Sequence, residues 1–413
     1  MDSQSLSRRS FLRRAGIAGA GLIATGSVVN EAAASAFLQG KTASDITGAG
    51  VPPGLVDLDQ GENALGPSPM AVEAVKGHLL EMNRYLNNPP PELYRKLNLM
   101  SGVSYEGLDL ENPSQEEGQE IYRRNRVMVT SGGSTSLLRA TTFASLERGG
   151  HVIESAGGYG DVSGFANALQ QRGRNVTITR VPLRADMNQD LPATLDAINE
   201  ETKLIAITNP NNPTETIISH QDFTDFVDKV PESVLVLIDE AYIDFVRQPN
   251  YQNALSLAIS RPNVIVLRTF SKAYGLSGIR TGYGVSHPSN FNNLYLYTDR
   301  WLPTLSAYAA TAALDDHEHI ANTRRLVGAG YSYLTRELDA MGMQYVPSES
   351  NFVSINVGKD PNGIINYLRG KNVLIRNAEW MGVKNHIRVT IGTQDELEVF
   401  ISTFKEALSP PVN

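Results

Sequence analysis

Residues Ile265 to Gly284 read IVLRTFSKAYGLSGIRTGYG, and the reading of that stretch decides the fold. It opens as an apolar, β-branched run, the pattern of a buried strand. The run breaks at Thr269, Phe270, Ser271 and Lys272, and a glycine-rich segment then leads to Arg280. A lysine directly beyond a strand end, among apolar and glycine residues, does little for solubility. Desolvation at such a place lowers the ammonium pKa and frees the amine to form a Schiff base with an aldehyde. The hydroxyls of Thr269 and Ser271 and the guanidinium of Arg280 suit a phosphate ester beside that amine. The same residues would also make an ordinary surface loop with a solvated lysine, and the stretch alone does not choose.

Outward from this stretch the chain alternates strand and helix patterns. SVLVLIDEAYIDF (233–245) is an apolar strand ending at Asp239, with Tyr242 three residues on. A carboxylate at a buried strand end is costly unless it is paired. LIAITNPNNPT (204–214) is a strand followed by a turn that carries Asn212. VMVTSGGSTSLLRATTFASL (127–146) reads as strand, glycine turn and helix, so that Gly133, Ser134 and Thr135 open a helix N-terminus, where a phosphate is favoured. HVIESAGGYGDV (151–162) is a strand and loop with Tyr159, and VTITRV and LDAIN continue the alternation. Such alternation predicts an α/β fold with a mostly parallel sheet, helices on both faces and ligands at the C-terminal strand ends. Ser68 and Pro69 form an N-cap and first helical residue before an apolar stripe at Met70, Val72, Ala74, Val75, Leu79 and Leu80. Strands at 352–357, 373–375 and 386–391 with helices at 361–370 and the C-terminus predict a smaller α+β domain.

Composition narrows the function. The 413 residues carry a net charge of −8, with no basic block beyond the N-terminus, which argues against a nucleic-acid partner. The absence of cysteine excludes disulfides, thiolate catalysis and Cys-ligated metals. His317 and His319 in DDHEH are the one close histidine pair, but i and i+2 residues do not share a helix face, so no metal site is expected. Arg8, Arg9, Arg13 and Arg14 precede an apolar run from Ala15 to Val29 and then EAAASAF. That order matches a cleavable signal peptide over residues 1–36, with no stable membrane anchor. The paired arginines before Phe11 and Leu12 resemble a twin-arginine signal, so export to the periplasm or beyond is expected.

SKAYGLSGIR, with DEAYIDF, NPNNPT, NRY and ENALGPSP, resembles the pyridoxal-phosphate aminotransferases of the aspartate aminotransferase superfamily, and most of all their histidinol-phosphate aminotransferase branch. The resemblance runs from about Val56 to the C-terminus. It implies a fold-type I enzyme that moves an amino group between an amino acid and a 2-oxo acid, with pyridoxal 5'-phosphate as cofactor. Carried over residue by residue, Lys272 is the Schiff-base lysine and Asp239 the partner of the ring nitrogen. Tyr159 covers the ring, and Asn212 and Tyr242 reach its phenolic oxygen. Gly133, Ser134, Thr135, Thr269, Ser271 and Arg280 hold the phosphate. Tyr85 reaches the phosphate of a neighbouring subunit and so implies a homodimer. Arg388 binds the substrate carboxylate, with Asn63, Asn351 and Arg376 around the rest of the substrate. The domains expected are a signal at 1–36, an arm at 37–67, a large cofactor domain at 68–300 and a small domain at 301–413.

Three positions depart from that family. Glu154 stands where it usually has proline, Ala156 where it has an aromatic, and Glu215, near the expected pocket mouth, where it commonly has glycine. An acidic insertion at 98–125 is placed beside the phosphate end, either building specificity or as a passive solvated excursion. The departures leave open a lyase, racemase or oxidase working on the same Schiff base. A non-catalytic binding protein of this fold would be expected to lack the lysine or the arginine.

Overall fold

The computed structural model describes residues 42–86, 91–299 and 301–409; the expected signal at 1–36 and residues 37–41 of the expected arm lie outside them. A two-residue strand, β1 (Val56–Asp57), comes first. A seven-stranded sheet follows from β2 (Val127–Ser131), β3 (Gly150–Ser155), β4 (Val176–Val181), β5 (Thr202–Thr208), β6 (Leu235–Asp239), β7 (Val264–Thr269) and β8 (Thr281–Ser286). Its order is β2-β8-β7-β6-β5-β3-β4. All neighbours are parallel except β8, which runs antiparallel to both β2 and β7.

The strands alternate as a sheet covered on both faces must. Val236, Ile238, Val264 and Val266 pack into one apolar cluster with Phe223, Phe226 and Leu257. Leu237, Ile265 and Leu267 face the other way, against Leu137, Leu138, Ala166 and Leu169 of the helices Ser134–Leu146 and Asp161–Gln171. The antiparallel insertion of β8 depends on Gly282. A Cβ there would lie 2.5 Å from the backbone nitrogen of Ser134, so only glycine lets that helix start so close to the strand.

A second sheet is antiparallel, in the order β12-β13-β10-β9: β9 (Gln344–Tyr345), β10 (Phe352–Asn356), β12 (Arg376–Asn377) and β13 (His386–Thr390). β11 (Val373–Leu374) pairs instead with β1, in parallel. Ala43, Ile46, Val56 and Leu58 therefore belong to the apolar cluster of this second sheet, with Phe352, Ile387 and Phe400.

Packing draws the division differently from the expected break at 300/301. The alanine-rich helix Thr304–Ala313 buries Ala307, Ala309, Ala310 and Ala313 in the core of the large sheet. The long helix His317–Ala340 then carries Val327, Leu334 and Leu338 into the second cluster. Small side chains explain the first placement, since they let this helix lie close against Pro69–Gly77. That helix is capped as expected: the Ser68 hydroxyl accepts from the amide of Ala71, and Pro69 is its first residue. The acidic interval folds into a helix, Gln115–Arg124, capped by Ser114 with Glu117 reciprocating. Asn98 ties its two ends, donating to Asn125 Oδ1 at 2.8 Å and accepting from the Arg126 amide at 2.8 Å.

Candidate active site

A cavity of about 260 Å³ opens where β5, β6 and β7 end, lined by Thr208, Asp239 and Thr269 from those strand ends. Open α/β sheets place ligands there because the strand ends leave backbone groups and a crevice between diverging loops. The loop after β7 adds Ser271, Lys272, Ser277 and Arg280, the loop after β3 adds Tyr159, and the turn after β5 adds Asn212. Ser134 and Thr135 come from the helix that follows β2, while Tyr242, Arg376 and Arg388 close the opposite side.

The anion end is built from two reciprocal contacts. The Gly133 amide donates to the carbonyl of Arg280 at 2.9 Å, and Arg280 Nη2 donates to the carbonyl of Gly132 at 2.9 Å. Arg280 Nη1 also donates to Ser271 Oγ at 3.2 Å, and Thr269 Oγ1 to Ser271 Oγ at 2.9 Å. A Cβ on Gly133, at φ 73°, would stand 2.9 Å from Arg280 Nη2. The helix N-terminus, two hydroxyls and a guanidinium thus converge on a cradle that suits a phosphate ester.

Lys272 Nζ lies 2.7 Å from the carbonyl of Gln60 and 5.5 Å from the centre of the Tyr242 ring. Burial, and then the positive charge of Arg388, push its ammonium down to about 7, against the opposing pull of Glu62. The amine is therefore substantially free at neutral pH, as a Schiff-base lysine must be. Asp239 moves the other way. Burial pushes its carboxyl up to about 7, opposed by the Ala241 amide, which donates to Oδ1 at 3.1 Å. A cationic ring nitrogen is the kind of partner that would return this buried group to its ionised form. Tyr242 is buried with its ring edge-on to Phe352, centroids 5.0 Å apart, and burial pushes its hydroxyl well above the usual range.

Arg388 is 3 % exposed and stacks over Phe352, 4.6 Å from the ring centre. Its Nη1 donates to Asn212 Oδ1 at 2.7 Å and its Nη2 to the carbonyl of Asp59 at 2.7 Å. Asn212 thus has its oxygen occupied and its amide nitrogen left as a donor. Arg376 is held through Nε by the carboxylate of Asp59 and lies 5.5 Å from the Trp380 ring.

Four of the expected residues are not among those lining the cavity. Gly133 contributes backbone, through the contacts above. Asn63 donates to Ala273 O at 2.9 Å and Thr323 Oγ1 at 2.8 Å, so it ties the N-terminal segment to the lysine loop and the long helix. Asn351, just before β10, donates to the carbonyls of Gly61 and Glu62 at 3.0 and 3.3 Å, bracing the same segment. Tyr85 is 87 % exposed and lies 5.7 Å from Trp301, ring to ring, away from the cavity of its own chain. No residue of the interval 98–125 lines the cavity either. Glu154 is buried and accepts from both the amide and the hydroxyl of Ser163. Glu215, expected near the mouth, is instead fully buried against β10.

The motifs did not signal Gln60, Glu62, Trp380 and Met381, all of which line the cavity, or Asp59, which holds both arginines. VDLDQGEN has the carboxylates in plain view, but nothing in it shows that the segment is folded across to Arg376 and Arg388.

Residues 53–404 match the model of the family described as aminotransferase class I and II. Histidinol-phosphate aminotransferase 1 of Nitrosococcus oceani is 34% identical over 360 residues, 86% of this chain and 89% of that protein. The histidinol-phosphate aminotransferase of Moorella thermoacetica is 33% identical, over 86% of each. Among solved structures, histidinol-phosphate aminotransferase from Sinorhizobium meliloti in complex with pyridoxal-5'-phosphate aligns at a TM-score of 0.73 with 24% identity, over 94% of this chain and 97% of that one. Aspartate aminotransferase from Thermus thermophilus aligns at 0.70 with 18% identity, over 98% and 100%. These two likenesses establish the fold.

Proposed function

The chain belongs to the aminotransferase class I and II family, and from that premise we propose that it is a pyridoxal-phosphate-dependent aminotransferase, moving an amino group between an amino acid and a 2-oxo acid. The observation that carries the reading is the convergence of Lys272, Asp239 and Arg280 on one cavity at the strand ends. The cofactor, when bound, supplies an aldehyde to hold the amine and a ring to accept the electrons released at Cα. Its phosphate fits the cradle of Ser134, Thr135, Ser271 and Arg280. Lys272 would hold the cofactor through its free amine and serve as the base and acid for the proton at the substrate Cα. Asp239 would pair with the ring nitrogen and favour its protonated form. Tyr159 would cover the ring, and Asn212 and Tyr242 are the donors available to its phenolic oxygen. Arg388 receives the substrate carboxylate through its planar fork, and Arg376, steadied by Asp59, faces the distal end of the substrate.

The lyase, racemase or oxidase alternative is not favoured: relatives matched at 31–34% identity carry the name histidinol-phosphate aminotransferase. A homodimer completes the proposal. Tyr85, Trp301, Leu80 and Leu296 are exposed large side chains that a second copy would cover. Residues 1–36 direct export by the twin-arginine route, which carries folded proteins and so suits a domain loaded with cofactor beforehand.

Borohydride reduction followed by peptide mapping tests the cofactor reading. It should fix a pyridoxyl group on the peptide containing Lys272, and Lys272→Ala should abolish the label. Labelling at another lysine, or none in a protein supplied with the cofactor, would overturn it.

A further inference from the structure

Glu215 has no part in the chemistry above, yet its setting is unusual. It is 0 % exposed and takes a left-handed backbone at φ 57°, a conformation that costs a residue with a side chain more than it costs glycine. Its amide donates to the carbonyl of Asn211 at 2.9 Å, and its carbonyl accepts from the amide of Glu349 at 3.1 Å. Its side chain crosses from the 211–215 turn to β10 of the second sheet, where Oε1 lies 2.9 Å from Ser354 Oγ. The same Ser354 hydroxyl also contacts the carbonyl of Pro213.

A serine hydroxyl has one proton, and a carbonyl can only accept. Both contacts are satisfied together in one way: Ser354 donates to Pro213 O and accepts a hydrogen bond from the acid O–H of Glu215. An ionised Glu215 would set the Pro213 carbonyl and a carboxylate oxygen against the one hydroxyl proton of Ser354, with Oε2 buried and without a partner. Burial acts in the same direction, holding the carboxyl well above its ordinary range, with the charge of Arg388 and the backbone amide of Ser354 opposing.

Ser354 lies directly opposite Arg388 in the β10–β13 pairing. Arg388 Nη1 holds Asn212, which sits in the very turn that Glu215 anchors. We propose that Glu215 is a positioning residue: as a neutral acid it pins the 211–215 turn to β10 through Ser354, and so sets the Asn212–Arg388 pair that receives the substrate carboxylate. This rests on the reading of Arg388 given above.

Steady-state kinetics of the full-length holoenzyme test it with Glu215→Gln, Glu215→Gly and Arg388→Gln. Glutamine keeps the shape, the donor and the neutrality, so KM for amino acid and 2-oxo acid stays within about threefold of wild type. Glycine suits φ 57° and preserves the fold but frees the turn, so KM rises about tenfold, the equivalent of one lost hydrogen bond, with kcat changed less. In the infrared difference between wild type and Glu215→Gln, a carboxylic-acid C=O stretch disappears. The proposal is overturned if Glu215→Gln is as damaging as Glu215→Gly, if Glu215→Gly leaves KM unchanged, or if the difference spectrum shows a carboxylate. Arg388→Gln separates the two levels: a raised KM there beside an unaffected Glu215→Gly defeats this proposal alone. An unaffected KM in Arg388→Gln defeats the reading of Arg388 and this proposal with it.

Discussion

Lys272 should capture the cofactor with a pH profile that belongs to this pocket and not to lysine in general. An ammonium held at about 7 instead of 10.5 is half free at pH 7. An ordinary lysine would be free in roughly one molecule in 3,000 at that pH. The protonated form dominates below the midpoint and cannot attack an aldehyde, so the sign is fixed: capture accelerates as pH rises. Stopped-flow mixing of apoenzyme with pyridoxal phosphate should give a rate constant climbing about tenfold per unit below pH 7 and levelling above it. Two neighbours push the midpoint in opposite directions. Arg388 lowers the lysine and Glu62 raises it, so Arg388→Gln should move the midpoint up and Glu62→Gln should move it down. A profile still rising toward pH 10, or both variants shifting the same way, would refute the electrostatic account of this lysine.

Other outcomes follow from the same geometry. Asp239→Asn keeps the shape but removes the charge at the end of β6; cofactor should still bind while transamination slows at least roughly a hundredfold, measured in single turnover. Gly133→Ala puts a methyl group 2.9 Å from Arg280 Nη2 at a position of φ 73°, so cofactor affinity should fall about tenfold by equilibrium titration. Replacing Arg8 and Arg9 with lysine should leave the precursor in the cytoplasm on cell fractionation.

How much of this was legible in the sequence depends on how far each residue travels to reach the site. Asp239 ends an apolar strand, and Asn212 and Lys272 sit just beyond two others, so their convergence follows from the parallel order of β5, β6 and β7. The antiparallel course of β8 was not legible, because TGYGVS has no pattern that distinguishes direction and its place depends on the close contact at Gly282. Asp59 and Arg376 are 317 residues apart and meet only because β1 pairs with β11. Asn63 and Asn351 were assigned to the substrate by motif, but neighbouring backbone and hydroxyl groups take up their amides. Glu215 was placed near the mouth because it follows Asn212 by three residues; the left-handed turn at Glu215 itself sends its side chain under β10 instead.

The central claim is amino transfer in two halves through one cavity, and a spectral cycle on the purified protein tests it most directly. An amino acid added alone should convert the absorption of the lysine-bound cofactor to that of its amine form, with one 2-oxo acid released per site. A different 2-oxo acid, added after removing the first, should restore the original spectrum and yield its amino acid. A protein whose spectrum never responds to any amino acid, or responds but is not restored by any 2-oxo acid, would contradict the account.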